Sequence, residues 1–174
     1  MKVNKILKVF TVMIITIMCT IVFSGCGNEK KDERDNAYKV PLETYFSGIK
    51  EKNLEKVLQA FPDFMDMETR IIQDDIDQFY RNYETEYGQS VSIDYSLEEP
   101  VRYEGDDLEE FKAEIIATNE NVSKDDIEDA YFVPVTIIIK GENTEEGQDN
   151  EDGVLAREKY NFYSFKYKDV WYVR

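Results

Sequence analysis

Tyr131-Phe132-Val133-Pro134-Val135-Thr136-Ile137-Ile138-Ile139 is the stretch on which the fold turns. Tyr131, Val133, Val135, Ile137 and Ile139 fall on one apolar face, with Phe132, Pro134, Thr136 and Ile138 on the other. A period of two in β-branched and aromatic residues is the mark of a strand. Toward the C-terminus a second strand is expected from about Val154 to Tyr167. A last one follows from Val170 to Arg174, after a turn at Lys168-Asp169. Between the first two, Gly141 to Gly153 holds six acidic residues, no basic one and no large apolar one. It reads as a long hairpin loop.

Upstream, Val91, Ile93, Tyr95 and Leu97 alternate with Ser90, Ser92, Asp94 and Ser96, which gives a strand with one wet and one buried face. Pro100 marks an edge, a bulge or the strand's end, and Val101 and Tyr103 are placed to continue it. Asp106 or Asp107 can then cap a helix carrying Leu108, Phe111, Ile115 and Ile116. Ser123 with Asp126 resembles a small capping box.

Further back the period is 3.6. Leu42, Tyr45, Phe46 and Ile49 define a first helix, with Pro41 tolerated in its first turn and Asn53 as a stop. Leu54, Val57, Leu58 and Phe61 define a short second one, ended by Pro62. Ile72, Ile76, Phe79, Tyr80 and Tyr83 share a face of the third and longest, which Asp66 can cap and Gly88 closes. Helices, strand, helix, then three antiparallel strands imply an α+β domain over residues 37–174, its helices on one face of a curved antiparallel sheet.

The N-terminus has a different character. Lys2, Lys5 and Lys8 precede an apolar run from Val9 to Phe23, which ends at the small pair Ser24-Gly25 and is marginal in length for a membrane span. Residues 1–25 therefore read as a signal peptide. Val22-Phe23-Ser24-Gly25-Cys26 resembles the lipobox of bacterial lipoproteins, with Phe23 standing where an aliphatic residue is usual. That resemblance implies lipidation of Cys26, cleavage before it, and location on the extracytoplasmic face of a cell membrane. The several acyl chains that it implies suffice for stable anchoring. Residues 26–36 then form a polar tether. The other cysteine, Cys19, leaves with the signal, so the mature domain is expected to lack a disulfide.

The chain carries 37 acidic and 21 basic residues, a formal charge of −16. Losing three lysines with the signal takes it to −19. Such a surface repels nucleic acid. It reads as a solvated coat first, and second as a match for a cationic partner or for weak divalent-cation binding.

Pro41-Leu42-Glu43-Thr44-Tyr45-Phe46, Lys52-Asn53-Leu54, Ala60-Phe61-Pro62 and the ending Phe165-Lys166-Tyr167-Lys168-Asp169-Val170-Trp171-Tyr172-Val173 resemble the first helices and final strand of NTF2-like (cystatin-like fold) lipoproteins of Gram-positive bacteria. The resemblance spans nearly the whole mature chain and includes no catalytic motif. It implies a cone, a curved sheet wrapped around helices with a pocket at its open end.

The chain has no histidine, and its mature cysteine is expected to be lipidated. Ser-His-Asp and Cys-His schemes and Cys/His zinc sites are thereby removed. Carboxylate acid-base chemistry survives, as in ketosteroid isomerase of the same broad fold, and needs an acid on a buried face. Among helical acids only Glu68 and Asp75 flank an apolar stripe, and acids at such a border usually point to solvent. No catalytic residue, metal site or cofactor is assigned. An EF-hand frame ending at Gly153 fails, because it places Lys159 where a bidentate glutamate is required. The chain has twelve tyrosines, and Tyr45, Tyr80, Tyr95, Tyr131 and Tyr163 are candidates to line a ligand pocket, with ordinary packing as the competing role. Trp171 reads as core. The expectation is thus a membrane-anchored, non-enzymatic domain that binds a protein partner or a small ligand, with a small-ligand receptor or a carboxylate-based enzyme as the alternatives.

Overall fold

The structure, a computed structural model, describes residues 36–141 and 153–174. The expected signal peptide, Cys26, the tether up to residue 35 and residues 142–152 of the acidic loop lie outside the described residues. The elements are α1 (Lys39–Lys50), α2 (Leu54–Leu58), α3 (Thr69–Tyr87), β1 (Val91–Leu97), β2 (Val101–Arg102), α4 (Gly105–Thr118), a 3-10 turn (Lys124–Asp126), β3 (Ile127–Gly141), β4 (Val154–Tyr167) and β5 (Val170–Val173). Helices and a strongly curled antiparallel sheet make this an α+β protein.

Local signals explain most boundaries. Asn53, expected to stop α1, instead begins α2, because its side chain accepts a hydrogen bond from the Lys56 backbone N–H. Gly88 closes α3 in the left-handed conformation, φ 63°. Lys168 and Asp169 take positive φ values of 47° and 66°, which lets a two-residue turn match the twist of β4 and β5. α1 and α2 meet backbone to backbone. A Cβ on Gly48 would lie 2.7 Å from the Val57 nitrogen, so only glycine fits there.

The sheet order is β1-β3-β4-β5, with β2 also on β3. β1 and β2 behave as one interrupted edge strand, since β1 ends at the Leu97–Val135 pair and β2 resumes at Val101–Phe132. Pro134 accounts for the break. Its carbonyl accepts from the Glu98 N–H at 2.9 Å, yet it has no N–H to return, so the ladder cannot continue there. At the far edge, the Val173 N–H donates to the Ala60 carbonyl at 2.8 Å, which covers part of β5 with the end of the helical segment.

The alternation in β3 sorts the interior into two cores. Tyr131, Val133, Val135, Ile137 and Ile139 pack with Leu42 and Phe46 of α1 and with Ile76, Tyr80 and Tyr83 of α3. Ile127, Ala130 and Phe165 pack with Phe111 and Ile115 of α4. Since Ala130 pairs with Phe165 while Tyr131 pairs with Ser164, the two cores lie on opposite faces of the sheet. The expectation of helices on one face therefore holds for α1 and α3 and fails for α4. The α4 stripe is matched by Phe165, which alternation places on the face away from Ser164. Ser164 itself is fully buried, and its hydroxyl donates to the Tyr38 carbonyl at 2.7 Å, tying the start of α1 to β4.

Candidate functional site

The five tyrosines singled out from the sequence do not converge. Tyr45 and Tyr95 both pack on Phe46, with ring centroids at 5.1 and 4.9 Å. Burial, and then the Asp75 charge, pushes the Tyr45 hydroxyl up to about 12. Tyr80 donates to the Ile49 carbonyl at 3.1 Å and lies under the Lys52 ammonium at 4.0 Å. Tyr131 stacks on Tyr38 at 4.5 Å and meets Trp171 at 5.6 Å. Tyr163 faces the α4 core, among Phe111, Phe132 and Tyr103. Of the two flanking acids, Glu68 is exposed and sits at the N-cap of α3 without a side-chain capping bond. Asp75 is exposed too, with its carboxyl raised by partial desolvation and by the charge of Asp74.

A different group of side chains does converge. In β4, Ala156, Glu158, Tyr160, Phe162 and Ser164 are in phase, and their β3 partners are Ile139, Ile137, Val135, Val133 and Tyr131. Register thus puts the Glu158 carboxylate on the α1–α3 face, opposite the buried Ile137. Tyr160 donates its hydroxyl to Glu158 Oε2 at 2.5 Å. The C-terminal half of α3 brings Tyr83 and Tyr87 to the same place. The Tyr83 hydroxyl is raised well above the usual phenol range by burial, and then by its hydrogen-bonding contact with Glu158 and the neighbouring Tyr160. Tyr160 is pushed up to about 12 by burial and the Glu158 contact. Tyr87 is raised by desolvation, then by Glu86, and more weakly by the Glu158 charge.

The aromatic walls are ordered. The Tyr83 and Tyr87 rings are parallel within 4°, with centroids 6.4 Å apart, and Phe79 meets Tyr83 edge-on at 4.9 Å. Tyr87, Glu158 and Tyr160 are each partly exposed, so the cluster reaches solvent.

The other acids on the strands are neutralised by the chain itself. Asp94 pairs with Lys50 and Lys140, Glu128 with Lys166, and Asp129 with Arg102. Among the described residues no lysine or arginine pairs with Glu158. Nor does any group of three potential metal ligands occur among them, and no described helix is long and apolar enough to cross a membrane. No family model, curated protein or solved structure matches this sequence.

The cluster was partly legible in advance, since an acid in phase with Tyr160 and Phe162 is out of place on an apolar face. A recess of about 260 Å³ lies elsewhere, in the turn after α2, lined by Leu58, Phe61, Pro62, Met65 and Met67 with Asp63 and Asp66. It contains none of the singled-out tyrosines.

Proposed function

We propose that this chain is a lipid-anchored extracytoplasmic protein of NTF2-like build whose domain binds a small ligand, without turning it over, at the Tyr83–Tyr87–Glu158–Tyr160 cluster. The single observation that carries the binding half is Glu158, a carboxylate set beside aromatic rings, with the Tyr160 hydroxyl as donor and no cation paired with it among the described residues. A charged group placed on an apolar face is costly unless something repays its lost hydration, and ligand sites combine apolar walls with a few such polar groups. The anchoring half rests on the lipobox-like Val22–Cys26 and the charge pattern before it.

The same Glu158–Tyr160 contact favours a carboxylate-based enzyme as the second reading. Binding is preferred because the Tyr160 hydroxyl donates to the carboxylate itself and not to a point where substrate charge would develop.

Two measurements test the proposal. In a bacterial host fed labelled palmitate, the wild-type chain should take up label and fractionate with membranes, while Cys26→Ala should do neither; equal labelling of both would sink the anchor. A panel of neutral, anionic and cationic small molecules should contain compounds that raise the melting temperature of the full chain. That shift should vanish in Glu158→Gln. Turnover of any of them, lost in Glu158→Gln, would establish the enzyme instead.

A further inference from the structure

We infer that the ligand of this cluster is an organic cation, an alkylammonium group held between the Glu158 carboxylate and the faces of Tyr83 and Tyr87. The inference rests on the ligand-binding reading above and adds the chemical class.

Glu158 uses acceptor capacity on tyrosine hydroxyls, but a carboxylate offers about four lone-pair sites. The hydrogen bond from Tyr160 therefore leaves room for a further donor. That donor does not come from the described chain, whereas Asp94, Glu128 and Asp129 all receive theirs from it. The neighbouring rings are those of Tyr83, Tyr87 and Tyr160, and ring faces attract cations within about 6 Å of the centroid.

The same surface disfavours a bare metal ion. Calcium and magnesium require six or more oxygen ligands, and no second or third acid joins Glu158 to make a metal-holding group among the described residues. An ammonium with carbon substituents satisfies both parts, its charge on the carboxylate and its methyl or methylene groups on the rings. The strongly acidic character of the whole chain, −16 in formal charge, raises the local concentration of any cation approaching it.

The molecule also contains a filled version of this arrangement. On the α4 face the Arg174 guanidinium lies 5.6 Å from the Phe111 centroid and pairs with Glu114 at 2.9 Å. There the chain brings aromatic ring, carboxylate and cation together. At Glu158 the described residues supply only the first two.

The test is calorimetric titration of the full chain in detergent with tetramethylammonium chloride, against tert-butanol as an uncharged probe of similar shape and sodium chloride as the ionic-strength control. Saturable binding of tetramethylammonium alone is expected. Glu158→Gln, which keeps the side-chain shape, should weaken it about tenfold or more, and Tyr87→Ala severalfold, both with unchanged circular dichroism. Absence of saturable binding in the wild type, or equal affinity in Glu158→Gln, would overturn the inference. If tert-butanol or an anion from the wider panel bound in place of tetramethylammonium, with dependence on Glu158, the cation class would fall while the ligand-binding reading stood. Membrane release of Cys26→Ala bears on the anchor alone.

Discussion

Two aromatic clusters occupy opposite faces of one sheet, and they differ in what completes them. On the α4 face, Tyr103, Phe111, Tyr163 and Phe165 pack ring against ring at 5.7 to 6.1 Å, and Arg174 closes the cluster with Glu114. On the α1–α3 face, Tyr83, Tyr87 and Tyr160 neighbour the Glu158 carboxylate, with Phe79 edge-on to Tyr83, and no basic residue among the described ones neutralises that carboxylate. Similar residue types serve packing in the first case and leave an unmet electrostatic demand in the second. The difference lies in one in-phase acid, Glu158, and in its lack of a basic partner among the described residues.

The largest effect should come from emptying the closed cluster. Phe165 is fully buried and central to the α4 core, so Phe165→Ala should destabilise the domain by about 3–5 kcal/mol through lost transfer energy and a residual cavity. Urea unfolding should show it as a fall in midpoint at constant slope. A loss under about 1 kcal/mol would mean that this face is not a second core.

Alkaline titration probes the burial of the α1–α3 face next. Tyr45 and Tyr160 are both pushed up to about 12, chiefly by burial. A phenol whose folded value is raised contributes stability that is fully present below the unfolded value near 10, and that stability is lost as pH climbs from about 10 through about 12. Absorbance at 295 nm should therefore show ordinary tyrosines ionising near pH 10, and a late group ionising together with unfolding. Titration of all tyrosines as one class near 10 would contradict this burial.

A smaller effect is expected at Ser164. Removing its hydrogen bond to the Tyr38 carbonyl by Ser164→Ala should lower stability by about 1 kcal/mol. Hydrogen exchange at the first turn of α1 should speed up more than exchange at the end of α3, because the bond ties only the former to the sheet.

These effects also measure how far the sequence could be read. The period of two located β3 at Tyr131–Ile139, although the strand begins earlier, at Ile127, and runs to Gly141; the range read for β4 and the turn at Lys168-Asp169 match the structure, because those signals are local. Placement of α4 was not legible, since a stripe of Leu108, Phe111 and Ile115 does not say which face of a sheet it meets. Tyr163 was misleading for a related reason. Its strand phase matches Phe165 and not Tyr160, so it belongs to the α4 side. Tyr83 was visible in its helical stripe, but its meeting with Glu158 joins residues 75 positions apart and depends on how α3 crosses β4. The five candidate tyrosines were selected one by one, and only the register of β4 shows which rings share a carboxylate. Cys26 and the acidic loop, whose readings depend on sequence alone, are untouched by the geometry.

The smallest effect sharpens the comparison most. Arg174→Ala removes a partly exposed ion pair and a cation over a ring, while the backbone bonds of Arg174 to Tyr163 at 2.9 and 3.1 Å remain. The expected loss is about 0.5–1 kcal/mol, and it should shrink as salt screens the pair. Glu158→Gln should change stability by less than that without ligand, because glutamine keeps the volume and can still accept from a tyrosine hydroxyl. Denaturation of the two variants at low and high salt tests the contrast directly. If Glu158→Gln proved the more damaging, its carboxylate would be a structural partner of Tyr83 and Tyr160, and the two clusters would be alike after all. If only Arg174→Ala weakens the fold, Glu158 is held in place without stabilising it, which is the condition of a group reserved for a ligand.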